Sequence, residues 1–200
     1  MTPPPDLPAT PDGAHLIETR VASQELLRGH FLHAMRDTVR LPDGKEAFRE
    51  YVIHPGAVMV VAELPDGRLV LERQFRYPVK AVMVEFPAGK LDPGEDSLVC
   101  AQRELLEETG YTARQWARAG VLHPVISYST EFIDIWFARE LTAGERQLDA
   151  GEFLDVFSAS ADELLQWCRD GRITDAKTLT GVLWLQNLRS GAWSLDWASV

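Results

Sequence analysis

Apolar positions along this chain change their period several times, and each change marks an element. Between residues 16 and 53, short runs alternate apolar and polar side chains, the two-residue period of strands. Pro42-Asp43-Gly44 breaks these runs with a turn, proline pre-setting φ and glycine accepting a positive one. The pattern predicts a small antiparallel sheet. Residues 56–64, GAVMVVAEL, form instead a continuous apolar run of strand length. Pro65-Asp66-Gly67 turns that run into RLVLERQFR at 68–76, which predicts a hairpin. Residues 81–86 predict one more short strand, leading into Pro87-Ala88-Gly89.

The period then lengthens. Leu98, Ala101 and Leu105 fall at steps of three and four residues, and no glycine or proline interrupts residues 97–109. Asp92-Pro93-Gly94 forces a turn ahead of this helix, and Asp96 is placed to cap it. Glu95 and Asp96 also bring negative charge to its positive end, and Gly110 stops it as a C′ residue. Further strands are expected around 120–126 and 132–138. Helices are expected over 162–170, with Leu164, Leu165, Trp167 and Cys168 apolar, and over 178–188, with Leu179, Val182, Leu183, Leu185 and Leu188. The proline-dense start, MTPPPDLPATPDG, predicts a loose, extended tail over residues 1–14.

Composition narrows the setting. Two hundred residues with 46% hydrophobic content suffice for one core and a small appended element. No apolar run approaches the roughly 20 residues of a membrane span, and the first residues lack the basic start and apolar middle of a signal peptide. Cys100 and Cys168 are too few for a disulfide framework, so a reducing, cytoplasmic setting is expected. A net charge of −10, with Lys and Arg scattered, argues against nucleic acid as a partner. A small phosphorylated ligand remains compatible, because divalent cations and local arginines can neutralise it.

On a helical wheel Glu104, Glu107 and Glu108 crowd one edge beside the apolar stripe. Like charges held together on a partly buried edge are unfavourable unless cations neutralise them. Mg²⁺ and Mn²⁺ prefer oxygen ligands and bridge to phosphates, so these acids are candidate ligands for one of them. Arg103 stands one turn before Glu107 and is expected to pair with it. In isolation such a triplet is an ordinary solvated acidic face; its surroundings change that.

Residues 89–111, GKLDPGEDSLVCAQRELLEETGY, carry Gly89, then Glu95, then Arg103-Glu104-Leu105, Glu107-Glu108 and Gly110-Tyr111. The segment resembles the Nudix box, G-x5-E-x7-R-E-U-x-E-E-x-G-U with U bulky and apolar, and matches every specified position. At ordinary residue frequencies a chance match in such a chain is on the order of one in ten million. The resemblance implies an α/β/α Nudix sandwich with a mixed sheet, an α+β fold preceded by a small N-terminal β element. It also implies a metal-dependent hydrolase of a nucleoside diphosphate linked to another group. Glu104, Glu107 and Glu108 would bind Mg²⁺, or Mn²⁺, together with the Ala88 carbonyl. Gly89, Glu95, Arg103 and Gly110 complete the motif, Glu95 mostly supporting loop and helix.

The flanking segments REYVIHPGAVMVV, ERQFRYPV, EFPAGKLDPGE and ITDAKTL resemble the ADP-ribose pyrophosphatase branch of that family. This implies hydrolysis of ADP-ribose to AMP and ribose 5-phosphate. GDP-mannose, ADP-glucose or an oxidised nucleotide are alternative substrates of the same chemistry, and a non-catalytic nucleotide-sugar-binding regulator is an alternative of another class. The resemblance further implies a homodimer that exchanges its N-terminal sheet. Three regions are expected: the tail at 1–14, the β element at 15–53 and the hydrolase domain at 54–200. Arg76 matches an arginine that contacts substrate, with Arg49 a second candidate. In HPVISYSTE, residues 123–131, Glu131 matches an acid that serves as general base, and Glu107 is the alternative. Ile126 and Ser127 replace the proline and glycine usual in this loop.

Overall fold

The computed structural model describes residues 13–148 and 151–200, so most of the tail expected over 1–14 lies outside the described residues. The chain forms two compact units. One holds the described residues up to Gly56 together with Val125–Phe132; the other holds Ala57–Pro124 together with Ile133–Val200.

The first unit is the antiparallel sheet expected from the alternating runs: β1 (Thr19–Arg28), β2 (His33–Arg40) and β3 (Glu46–Val52), paired in that order. At the β2–β3 turn Gly44 has φ 86°, and its N–H donates to the Leu41 carbonyl at 2.9 Å. The segment 125–132 closes against the end of β3. Val52 N–H donates to the Tyr128 carbonyl at 2.8 Å, and Thr130 N–H donates to the Val52 carbonyl at 3.0 Å. All of β1 is exposed in the single chain.

In the second unit the continuous apolar run becomes β4 (Ala57–Ala62), buried at all six positions. The alternation of side chains across a strand divides them between two cores. Val58, Val60 and Ala62 pack with Cys100, Ala101 and Leu105 of α1 (Ser97–Thr109). Met59 and Val61 face the opposite way, towards Leu164 of α2 (Ala161–Arg169) and Val182 and Leu185 of α3 (Ala176–Arg189). Helices thus cover both faces, the α/β/α arrangement expected. α3 approaches closely because residue 181 is glycine: a Cβ there would stand 2.9 Å from both Met59 Cε and Phe86 Cε2.

Two sheets carry this unit. One has the order β11–β8–β9–β4–β7, from Ala198–Ser199, Tyr111–Leu122, Ile133–Ala143, β4 and Ala88–Lys90. It is mixed, β4 running parallel to β9 and the other pairs antiparallel. The other has the order β10–β5–β6, from Leu154–Ala159, Leu69–Arg76 and Ala81–Glu85.

This arrangement corrects the hairpin expected from residues 56–64 and 68–76. The turn exists, with Gly67 at φ 81° and Leu64 N–H donating to the Arg68 carbonyl at 2.8 Å. Beyond the single bridge between Glu63 and Leu69, however, the strands part into different sheets. Both edges of β4 are already taken, by β7 and β9, so β5 must find β6 and β10 instead. β10 was not expected from its short, mixed LDVFSA pattern.

Candidate active site

α1 begins and ends where its local chemistry dictates. The Asp96 carboxylate accepts from Leu98 N–H at 2.9 Å, a cap of a kind worth about 1 kcal/mol. Gly110 ends the helix at φ 76°, where a side chain would be strained, and its N–H donates to the Leu106 carbonyl. With Ala101 and Leu105 buried, the edge beside them, which also buries Glu108, packs against β7. There Glu104 and Gly89 meet. A Cβ on Gly89 would fall 1.8 Å from Glu104 Cδ, so the carboxylate sits directly over the glycine backbone. One turn on, buried Glu108 accepts from Ala88 N–H at 3.0 Å.

Arg103 organises the neighbouring acids. Its Nε and Nη2 donate to Glu95, each at 2.9 Å, while Nη1 donates to Glu104 at 2.8 Å and to Glu107 at 3.0 Å. The pairing with Glu107 follows the expected one-turn spacing. Nη2 also reaches the Lys90 carbonyl at 3.1 Å. Glu95 in turn accepts from Asp92 N–H at 3.0 Å, clamping the turn before the helix to the helix itself. The Arg103 guanidinium holds the Glu95 carboxyl down at about 2. Burial, in contrast, pushes Glu104 above the usual carboxylate range. Burial pushes Glu108 up much further, reinforced by the negative charges of Glu72 and Glu104.

Behind these acids lies a buried charged layer. Arg76 forks onto Glu85, Nε at 2.7 Å and Nη2 at 2.8 Å, and Lys177 donates to the same carboxylate. Burial opposes ionisation of Glu85, but these two cations bring it below its ordinary value. Asp175 caps α3 through Thr178 N–H at 3.0 Å and accepts from Lys177 at 2.9 Å. Thr178 Oγ1 accepts from Phe86 N–H at 3.2 Å. The ITDAKTL and EFPAG segments therefore meet in space, the start of α3 fixing the end of β6. Glu72, wholly buried beside Glu85 across the β5–β6 pair, has no hydrogen-bond donor to either carboxylate oxygen.

A cleft of about 190 Å³ opens over this arrangement, lined by Ala88, Gly89, Glu104, Glu107 and Glu108 with Arg76, Gln74 and Glu152. A larger hollow of about 280 Å³ lies between α2 and α3, but Asp162 is the only carboxylate on its wall. The smaller one carries the acids of the box on its wall. Glu152, just before β10, was not singled out by the sequence. It sits in no motif, and only the fold brings it to the cleft, where it accepts from Gln74 Nε2 at 3.4 Å.

Two expected site residues lie in the other unit. Arg49, on β3, is held by Glu18, with Nε 2.9 Å from the carboxylate, and its Nη1 donates to the Phe48 carbonyl. Glu131 stands in the 125–132 segment, its carboxylate 3.9 Å from His54 Nε2. Arg76 is the substrate candidate that lines the cleft, although Glu85 already occupies two of its nitrogens.

The donor set suits a hard divalent cation: oxygen ligands only, several of them buried and short of counter-charge. Among the described residues no three acids converge into a ready-made cage. Glu104 is tied to Arg103, and Glu108 to Ala88. The fit rests on donor chemistry, on the seat that Gly89 leaves for Glu104 and on the orphaned oxygens of Glu72.

Comparison with known proteins agrees with this picture. The NUDIX domain model matches residues 53–180, and the model for the nucleoside diphosphate sugar hydrolase N-terminal domain matches residues 18–52. The ADP-ribose pyrophosphatase of Bacillus subtilis (strain 168) is 36% identical over 173 residues, covering 86% of this chain and 94% of that protein. The methanol dehydrogenase activator of Bacillus methanolicus is 38% identical, covering 84% of this chain and 92% of its own. A crystal structure of an ADP compounds hydrolase superposes with a TM-score of 0.79 at 22% identity, over 88% of this chain and 97% of that one. That likeness concerns the fold.

Proposed function

Because this chain belongs to the NUDIX family of hydrolases, we propose that it cleaves the diphosphate of ADP-ribose, or a close nucleoside diphosphate sugar, to AMP and ribose 5-phosphate. The observation that carries this reading is the Glu104 carboxylate seated over Gly89 beside buried Glu108, acids that lack enough cationic partners of their own. The ADP-ribose pyrophosphatase relative, alignable over most of both chains, supports the substrate class.

Glu104, Glu108 and the Ala88 carbonyl are assigned to hold Mg²⁺, with Mn²⁺ a substitute and Glu107 on the open side. When bound, the ion would withdraw charge from phosphate oxygens and lower the pKa of a water. Arg76 presents positive charge at the cleft wall while Glu85 fixes its fork, pre-orienting it towards a phosphate. A carboxylate must take the proton of the attacking water. Glu131 and Glu107 are the acids expected from the sequence. Glu152 joins them, since it lines the cleft in the same unit as the box.

Exposed apolar side chains on the first unit, among them Val21, Leu27, Phe31 and Phe48, support a homodimer. Two free thiols suit a reducing, cytoplasmic setting.

The test is release of AMP from ADP-ribose, ADP-glucose and GDP-mannose (as GMP) with Mg²⁺ present or chelated. Glu108→Gln should lower kcat by several orders of magnitude with an unchanged circular dichroism spectrum. Glu131→Gln, Glu107→Gln and Glu152→Gln then identify the base as the variant that loses kcat and the rise in rate on the acid limb of the pH profile. Tight ADP-ribose binding without turnover in the wild-type protein would instead establish a sensor.

A further inference from the structure

Glu72 is wholly buried, and neither of its carboxylate oxygens meets a hydrogen-bond donor. A buried carboxylate left like this costs several kcal/mol unless something compensates it. The local cations do not suffice. Arg76 and Lys177 both donate to Glu85, the cross-strand neighbour of Glu72. The third acid of the group, Glu108, accepts from the Ala88 N–H and has no cationic side chain among its hydrogen-bond donors in the described residues. Three buried carboxylates thus share two cationic side chains, and Glu72 lies close enough to Glu108 for the two carboxyl groups to interact directly. An arrangement with one negative charge too many is tolerable if a cation completes it.

We propose that Glu72, on β5, belongs to the cation site: its charge lies behind Glu108 and both holds that carboxylate towards the cleft and strengthens its hold on a divalent ion. The inference rests on the cation site assigned to Glu104 and Glu108, and adds to it a residue outside the box. Glu72 acts through Glu108 and is a positioning residue. Carboxylates behind a ligand typically carry 10- to 100-fold of the metal affinity, which sets the scale of the expected effect.

The test separates this role from ordinary packing. Glu72→Gln keeps the shape and removes the charge. Mn²⁺ binding followed by electron paramagnetic resonance should weaken by about 10- to 100-fold. In a chelator the same variant should melt at a higher temperature than the wild type, because a buried carboxyl whose oxygens meet no donor has gone. Added Mn²⁺ should raise its melting temperature less. Glu72→Met should repeat both shifts. An unchanged Mn²⁺ Kd, or a lower melting temperature in chelator for both variants, would overturn the proposal. Glu104→Gln serves as the control. If it also binds Mn²⁺ like the wild type, the cation site is misplaced and the proposed function falls with it. If Glu104→Gln loses Mn²⁺ and Glu72→Gln does not, only the role of Glu72 falls.

Discussion

Arg103 gathers Glu95, Glu104, Glu107 and the Lys90 carbonyl around one guanidinium. Lysine, a point charge without a planar fork, cannot reproduce that geometry. The partnership also sets an acid limit. Glu95 ionises at about 2 in the fold against an ordinary 4.5. The folded value is the lower one, so the unfolded chain takes up this proton first. The stabilisation is complete above about 4.5 and drains away as pH falls towards 2. Glu95→Gln should therefore flatten the acid limb of the melting-temperature profile across that window while costing stability at neutral pH. Superimposable acid limbs for variant and wild type would show that the clamp contributes nothing. The pairing of Arg103 with Glu107 was legible in the sequence because it spans one helical turn. Glu72 was not, because whether a carboxylate finds a donor depends on strands brought together by the fold.

Elements differ in the same way. α1 spans the expected residues because its start at Asp96 and its stop at Gly110 are both local events. The turn at Pro65-Asp66-Gly67 is local too, and it formed; the hairpin did not, because strand partners are chosen by which edges remain open. Glu152 reaches the cleft through β10, a strand whose mixed pattern gave no signal. The passage of α3 over Met59 and Phe86 is likewise tertiary, and Gly181 permits it. Gly181→Ala would gain about 1 kcal/mol in helix propensity. The Met59 terminus can yield, but the fully buried Phe86 ring cannot move cheaply. With overpacking at about 1–3 kcal/mol, a net loss of about 1 kcal/mol is expected. A urea midpoint equal to that of the wild type would show that the core gives way freely.

At the scale of the molecule, β1 is ten residues long and exposed throughout, with Val21, Leu26 and Leu27 among its side chains. A long, open, partly apolar strand is a liability for a solitary chain. Light scattering should give twice the chain mass, and Leu27→Asp with Phe48→Glu should return it to one. A monomeric wild-type protein would remove the case for a second copy. The division of the chain also bears on how it can be dissected. The two family models meet between residues 52 and 53. Yet residues on both sides of that point bind the segment that carries Glu131: Val52 through Tyr128 and Thr130, and His54 through its N–H to Thr130 Oγ1. A boundary drawn from evolutionary modules thus cuts through a folding unit. A truncated catalytic domain starting at residue 53 would leave residues 125–132 without the strand they close on, and any activity it lost would report on that broken joint as well as on the missing sheet.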